Sequence, residues 1–442
     1  MDIVIYDEIY YNLVVNVCLS EGVCKMTRLN RNILCIDLKS FFASCECIER
    51  NLDPFTTPLV VAGSNKGAIT LAVTPCLKKQ GIKGRTRLYD IPRNITYIKV
   101  PPRMSLYIKK SEEVVSIYLD FISEEDLHIY SIDECFLDVT NYLKMYNKTD
   151  YELAEDILKT IEKKTGLTAT CGIGPNMLLA KVSMDVEAKK YKNGIAKWTY
   201  DDVESKLWNI YPLSDMWGIG SRMQRNLNNL GIYTVGDLAR SDVNLLKSKF
   251  GIIGEELWNH ANGIDESIIS DKKVPPKSSS ISHSQILYRD YYEDNIKIII
   301  LEMVEVLTRR LRTSNKMTRL IGFSIGYNKE TGGGFYHSLK LDESTDSKET
   351  IYRYCVMMFD KFYKTDMPIR KVSISLGSLE KKTNVQLSLF EDINEVEKDN
   401  HLESVIDEVK NKYGKNSILS ASSLTEYSTI RERNKKIGGH RA

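Results

Sequence analysis

The chain holds 442 residues, of which 42% are apolar and 27% charged, with a formal net charge of +2. Such a length accommodates about three domains, the composition excludes a disordered chain, and no apolar run nears the roughly 20 residues that cross a bilayer. Nine scattered cysteines without a CxxC pair, and six isolated histidines, point away from a disulfide framework or a zinc site and toward reduced core thiols.

Residues 1–30 read as an N-terminal extension in which Met26 offers a second start. Its opening MDIVIYDEIYYNLVV carries acids where a signal peptide carries Lys or Arg, so the protein is expected in the cytoplasm. From Asn32, NILCIDLKSFFASCE predicts a buried strand running into a helix, and LVVAGSNKGAITLAV over 59–73 predicts two short strands about a Gly-containing turn. Helical periodicity marks 111–122 and 151–166, the second closed by Gly166 as a C-cap. TATCGIGPN predicts a strand leading into LLAKVSMDVEAKK, a further helix, so the first 200 residues mix α and β. Residues 201–269 are helical and short-looped, and DKKVPPKSSSIS at 271–282 is a linker rich in Pro, Ser and Lys. Beyond it, helix-like NIKIIILEMVEVLTRRLR and strand-like RLIGFSIGYN, FYHSLKL and RKVSISLGSL predict a small α+β domain, after which the signals thin out from Lys382. The expected fold class is α+β, in several domains. Lys and Arg number 20 against 14 Asp and Glu over 271–382, whereas 1–270 carries 32 against 35. That local surplus, with the block TRRLRTSNKMTRL at 308–320, predicts a polyanion-binding surface.

Three carboxylates stand out: Asp37 in CIDLKSFF, and the adjacent Asp133 and Glu134 in YSIDECFLDV, where a strand-like run would normally exclude unpaired acids. Two sequence-distant acids meeting at the ends of neighbouring strands suit a pair of divalent cations about 3.5 to 4 Å apart, the arrangement of phosphoryl transfer. From the DE pair alone, turn or cap acids at a strand end are the simpler account. Alternation also turns neighbours in a regular strand to opposite faces, so both reach one site only at a strand end or bend.

Taken together, CIDLKSFFASCE at 35–46, YSIDECFLDV at 130–139 and CGIGPNMLLAKVSMDVEAKK at 171–190 resemble the Y-family translesion DNA polymerases, nearest the UmuC-like (ImpB/MucB/SamB) branch, in order along residues 31 to 390. The resemblance implies a right-hand polymerase: palm with small fingers over 31–200, the fingers at about 50–100, a helical thumb over 201–270, the linker 271–282, a little-finger DNA-binding domain over 283–385, and a tail over 386–442. It implies low-fidelity, template-directed addition of dNTPs to a primer 3'-hydroxyl in DNA repair and damage tolerance. Asp37, Asp133 and Glu134 would then be catalytic and would bind two Mg2+ ions, with the Leu38 carbonyl completing a site.

Nucleotide contacts follow from the same likeness. Phe41 and Phe42 are both nucleotide-binding candidates: Phe42 would underlie the incoming sugar and exclude a 2'-hydroxyl, and since adjacent helical positions lie about 100° apart, one of the two rings is expected in the core. Where the DinB-like branch offers a Tyr and an Arg in the fingers, this chain has Pro75 and Lys78, so Lys78 would meet the triphosphate as a point cation. Lys189 matches a palm lysine that approaches the triphosphate; a solvated lysine at a helix end is the bland alternative. MWGIGSRMQRNLNNLGIYTVGDLA at 216–239 resembles a helix-hairpin-helix in which Gly218 and Gly220 let the backbone approach a DNA phosphate. Gln386, Leu387, Leu389 and Phe390 form QLSLF, which looks like a bacterial sliding-clamp binding peptide. Primer-template DNA, dNTP and the clamp are thus the expected partners, with a UmuD-like or RecA-like activator left open. Two alternatives stand beside this: another palm-like two-metal nucleotidyl transferase such as a cyclase, and a catalytically inactive adaptor binding DNA and the clamp.

Overall fold

The computed structural model describes residues 30–64, 67–273, 279–382, 393–438 and 440–441. Residues 1–29 of the extension and residues 383–392, which include the proposed clamp peptide Gln386 to Phe390, lie outside the described residues. The chain divides into two compact units, Met1–Lys273 and Val274–Ala442.

In chain order the first unit contains β1 (Ile33–Leu38), α1 (Phe41–Ile48), β2 (Leu59–Ala62), β3 (Thr70–Val73), α2 (Pro75–Lys79), β4 (Ile98–Val100), α3 (Met104–Leu119), β5 (Leu127–Ile129), β6 (Glu134–Asp138), α4 (Asp150–Thr165), β7 (Ala169–Gly174), α5 (Met177–Val186) and β8 (Ile195–Lys197). The helical end follows as α6 (Ser221–Asn228), α7 (Val235–Arg240), α8 (Val243–Phe250) and α9 (Ile252–Ala261). Five strands form one sheet in the order β5-β6-β1-β7-β8, so β1, the earliest strand among the described residues, lies at its centre. Its even-numbered residues Leu34, Ile36 and Leu38 join Cys135, Leu137, Cys171 and Ile173 in a core covered by α1, α3 and α4. The sequence of α4 explains its firm ends: Thr149 and Glu152 exchange side-chain and backbone hydrogen bonds as a capping box, and Gly166 closes it with a left-handed φ of 72°.

The opposite face of the sheet is covered by α5, which presses closely against β7. A methyl group on Gly172 would stand 2.0 Å from the Ala180 carbonyl oxygen, and one on Gly174 would stand 2.4 Å from the Ala180 nitrogen. The two glycines of CGIG are therefore there for approach, not for a turn. A second small sheet, β3-β2-β4, carries α2 and forms its own apolar cluster about Val60, Val73 and Leu77. Pro75 opens α2 at its first turn, where its missing N–H costs nothing.

The second unit contains β9 (Ile281–Tyr291), α10 (Glu293–Thr313), β10 (Lys316–Tyr327), β11 (Gly334–Thr345), α11 (Lys348–Phe362), β12 (Ile369–Lys381) and α12 (Ile393–Tyr413). Its antiparallel sheet, ordered β11-β10-β12-β9, buries Phe323, Val372 and Ile374 against Ile299, Met303 and Leu307 of α10 and Phe359 of α11. The other face is open and lined by small polar side chains such as Ser284, Ser373 and Ser375, with Tyr288 and Tyr336 exposed.

Several expectations are corrected. The helix expected over 111–122 starts at Met104 and ends at Leu119. The last two residues of the 271–282 linker already belong to β9, and β9, α11 and α12 had no counterpart among the predicted elements. The arginines of the 308–320 block are spent on the protein itself: Arg312 Nε donates to Asp407 at 2.8 Å and its other arm to Glu403 at 3.1 Å, while Arg309 pairs with Asp407. Arg319 donates to the carbonyls of Leu341 and Asp342, and Arg310 to that of Ser282. An acidic helix, α12, thus neutralises the basic face of α10.

Candidate active site

The strand-like block YSIDECFLDV is not one strand. Residues 130–133 form a turn between β5 and β6, and β6 begins at Glu134. Asp133 therefore belongs to the turn and Glu134 to the strand, which removes the conflict that alternation raised. The register does the rest. Asp37 of β1 pairs directly with Glu134 of β6 in the antiparallel ladder, so their side chains rise from the same face. The Leu38 amide donates to the Asp133 carbonyl at 2.9 Å and ties the turn to the end of β1. Asp138, the other acid of the block, is structural: it is buried, pairs with Arg31 and accepts the Thr140 amide.

Two lysines from the α5 side answer these acids. Lys181 Nζ meets Glu134 Oε2 at 2.8 Å in a pair that is almost wholly buried, while Cys35 Sγ contacts the other carboxylate oxygen at 3.3 Å. Lys189 Nζ meets Asp37 Oδ2 at 2.7 Å. Burial raises the pKa of Asp37, and the charge of Asp133 adds to that rise. Burial raises Glu134 as well, with repulsion from Asp37 acting in the same direction. Burial works against the charge of Lys189, but Asp37 and Asp185 overcome it and hold the ammonium more strongly than usual. Lys78, in the last turn of α2, is lowered by burial and by Lys189, while Asp37 and Asp133 pull the other way. Lys78, Lys189, Asp37 and Asp133 thus lie near enough for their charges to act on one another.

The donor set consists of hard carboxylate oxygens, the type a divalent cation takes, and its acids are close enough to destabilise one another when unpaired. Among the described residues no three Asp, Glu, His or Cys side chains converge tightly enough to bind a metal as they stand, since Glu134 is turned to Lys181. Asp133, whose Oδ1 accepts from Ser131 Oγ at 2.7 Å, fits such a role in its turn, while Asp37 fits it on leaving Lys189 and Glu134 on leaving Lys181.

Beside the acids, α1 separates the two phenylalanines as the sequence anticipates. Phe41 is buried, whereas Phe42 is partly exposed and packs on Tyr107 with ring centroids 4.6 Å apart. Tyr107 is held by its hydroxyl, which donates to Glu46 at 2.7 Å, and the buried Glu46 is gripped by Arg103 through bonds of 2.9 and 2.7 Å. These three residues went unnoticed in the sequence; the one available signal was an acid, Glu46, in an otherwise apolar helix. Lys181 and Asp185 were quoted within a motif but not singled out.

In the helical segment Gly218 takes a left-handed φ of 91°, the conformation that its position in the turn requires. Gly220 is the N-cap of α6 with φ −85°, and no side chain caps that helix end. Nothing lies within 4 Å of where a methyl on Gly220 would be.

Comparison with known proteins agrees with this geometry. The impB/mucB/samB family model matches residues 36–185, its C-terminal domain model residues 278–389, and the HHH-motif model of the same family residues 200–232. A Bacillus subtilis (strain 168) protein named "Putative UV-damage repair protein UvrX" is 45% identical over 93% of this chain and 98% of its own. DNA polymerase IV 2 of the same organism is 36% identical over 92% of this chain and 98% of its own. A solved Y-family DNA polymerase chimera covers 79% of this chain at a TM-score of 0.62 and 21% identity, a likeness of fold.

Proposed function

The chain belongs to the impB/mucB/samB family of Y-family translesion DNA polymerases and is a DNA-directed DNA polymerase of DNA repair, and from that premise we propose that Asp37, Asp133 and Glu134 are its catalytic carboxylates. The observation that carries this proposal is the β1–β6 register, which sets Asp37 beside Glu134 with Asp133 in the adjoining turn. Y-family polymerases use divalent metal, and here the three acids, with the Leu38 carbonyl, would hold two Mg2+ ions. When bound, the ions supply charge neutralisation at the attacking primer 3'-hydroxyl and at the α-phosphate. The chain's own residues do the remaining work. Lys78 and Lys189 face the same cleft and meet the triphosphate as point cations. Phe42, braced by Tyr107, lies under the sugar and leaves no room for a 2'-hydroxyl.

Gly218 and the uncapped start of α6 bind a backbone phosphate of duplex DNA through N–H groups. With the 308–320 arginines engaged, the second unit meets DNA through the open sheet face, where Lys340 and Lys371 stand among serines. Such contacts are to phosphates, so binding weakens steeply with salt. QLSLF, from Gln386 to Phe390, tethers the enzyme to the bacterial sliding clamp in the cytoplasm. Among the described residues no helix is long and apolar enough to cross a membrane.

Primer extension with Mg2+ and dNTPs tests the site. The native chain should add nucleotides, and a chain carrying Asp133→Ala with Glu134→Ala, folded by circular dichroism, should lose at least about 1000-fold in rate. Extension by the double variant within about tenfold of native would remove these acids from the catalytic role.

A further inference from the structure

Asp185, in the last turn of α5, stands between the two lysines and has no part in the scheme above. Its Oδ2 meets Lys181 Nζ at 3.1 Å and its Oδ1 meets Lys189 Nζ at 2.7 Å. Each lysine continues to a catalytic acid, Lys181 to Glu134 at 2.8 Å and Lys189 to Asp37 at 2.7 Å. Charges therefore alternate along one line: Glu134, Lys181, Asp185, Lys189, Asp37. The spacing that makes this possible is regular, since Lys181, Asp185 and Lys189 follow one another at four-residue intervals and rise on one side.

The arrangement bears on a competition. An ammonium on Asp37 holds the oxygen that a metal ion needs. If Asp37 were the only anion near Lys189, expelling the ammonium would leave a half-buried charge without a partner, and that cost would be subtracted from metal binding. Asp185 removes the cost, because its second oxygen is already fixed by the buried Lys181 and its first can keep Lys189 when Asp37 is taken. Resting on the assignment of Asp37 to a metal, we propose that Asp185 is a positioning residue for metal loading: it retains the Lys189 ammonium beside the site and so frees Asp37 for a divalent cation. Lys189 then stays within reach of the triphosphate instead of swinging into solvent.

The test is a Mg2+ titration of the whole protein by calorimetry, without nucleotide, paired with primer extension at graded Mg2+. Asp185→Asn should weaken Mg2+ binding about tenfold and shift the Mg2+ midpoint of extension upward by a similar factor, with a rise in KM for dNTP as Lys189 is no longer kept beside the triphosphate. Asp185→Glu should recover most of the native affinity. In a Lys189→Met background, where the competing ammonium is gone, Asp185→Asn should have no further effect on Mg2+ affinity. The proposal is overturned if Asp185→Asn costs as much in that background as in the native chain, because the carboxylate would then act through its own charge. It is equally overturned if Asp185→Asn lowers kcat at an unchanged Mg2+ midpoint, the mark of a packing defect in α5. Asp37→Ala separates this from the underlying assignment: if that variant binds Mg2+ as the native chain does and still extends primers, the assignment of Asp37 has failed, whatever Asp185 does.

Discussion

Phe41 and Phe42 are chemically identical neighbours with opposite duties, and only the helix they begin makes them differ. About 100° of rotation separates them, so one ring enters the core and the other lies partly exposed above Tyr107. Phe42→Ala should therefore raise the insertion of ribonucleotides relative to deoxynucleotides by about tenfold or more while leaving the fold intact, because only the barrier to the 2'-hydroxyl is removed. Single-nucleotide insertion with matched dNTP and rNTP checks this, and an unchanged ratio would take Phe42 away from the sugar. That the two rings part ways was legible in the sequence, because neighbours in a helix cannot both face one core, while the choice of Phe42 for the sugar came from the family resemblance. The support for Phe42 was not legible, since Tyr107 lies in another helix and reaches α1 only through the fold.

Among the elements, those with one strong local signal were the legible ones: β1 as an apolar run interrupted only by Asp37, α4 with its capping box and C-cap glycine, the paired strands β2 and β3. Elements stabilised from outside were not. In β9, ISHSQILYRDY places a polar residue at most alternate positions and resembles the end of the linker before it, because one of its faces is open. Helix α12 leaves Leu402 and Val405 exposed and is held to α10 by Glu403 and Asp407, so its place in the domain rests on polar contacts that hydrophobic periodicity does not report. The proposed catalytic pair shows the same limit more sharply: Asp133 and Glu134 are visible as residues, but the turn that holds Asp133 beside the strand start appears only once β6 is known to begin at Glu134. Contact between β7 and α5 yields a prediction at this scale. Gly172→Ala would force a methyl against the Ala180 carbonyl, displacing the helix that carries Lys181 and Asp185. A loss of about 1 to 3 kcal/mol in stability is expected, with reduced polymerase rate. Urea unfolding followed by tryptophan fluorescence measures it, since all four tryptophans (198, 208, 217 and 258) belong to the first unit.

Over the whole molecule, the two units differ in what acid does to them. His283 of β9, in the second unit, is pushed down from 6.5 to about 4 by burial, with Arg433 and Arg310 adding repulsion. Below 6.5 the unfolded chain takes a proton that the folded unit refuses, so its stability is complete above that pH and falls as pH drops toward 4. Calorimetric unfolding should show the second unit losing stability between pH 7 and pH 5, and His283→Gln should lessen that loss; equal losses in both proteins would show that His283 does not titrate as described.

The central place of β1 has a consequence for how such an enzyme comes into being. Cys35 meets Glu134 across 99 residues of chain, and Asp37 meets Thr170 across 133. Once made, β1 must therefore wait for both neighbours, with its hydrogen-bonding edges unpaired and its apolar face uncovered until β6 and β7 arrive. No early fragment can assemble half an active site. A polymerase that copies carelessly is thus inert until its catalytic domain has been synthesised almost in full, and a truncated message yields a substrate for proteolysis rather than a source of mutations.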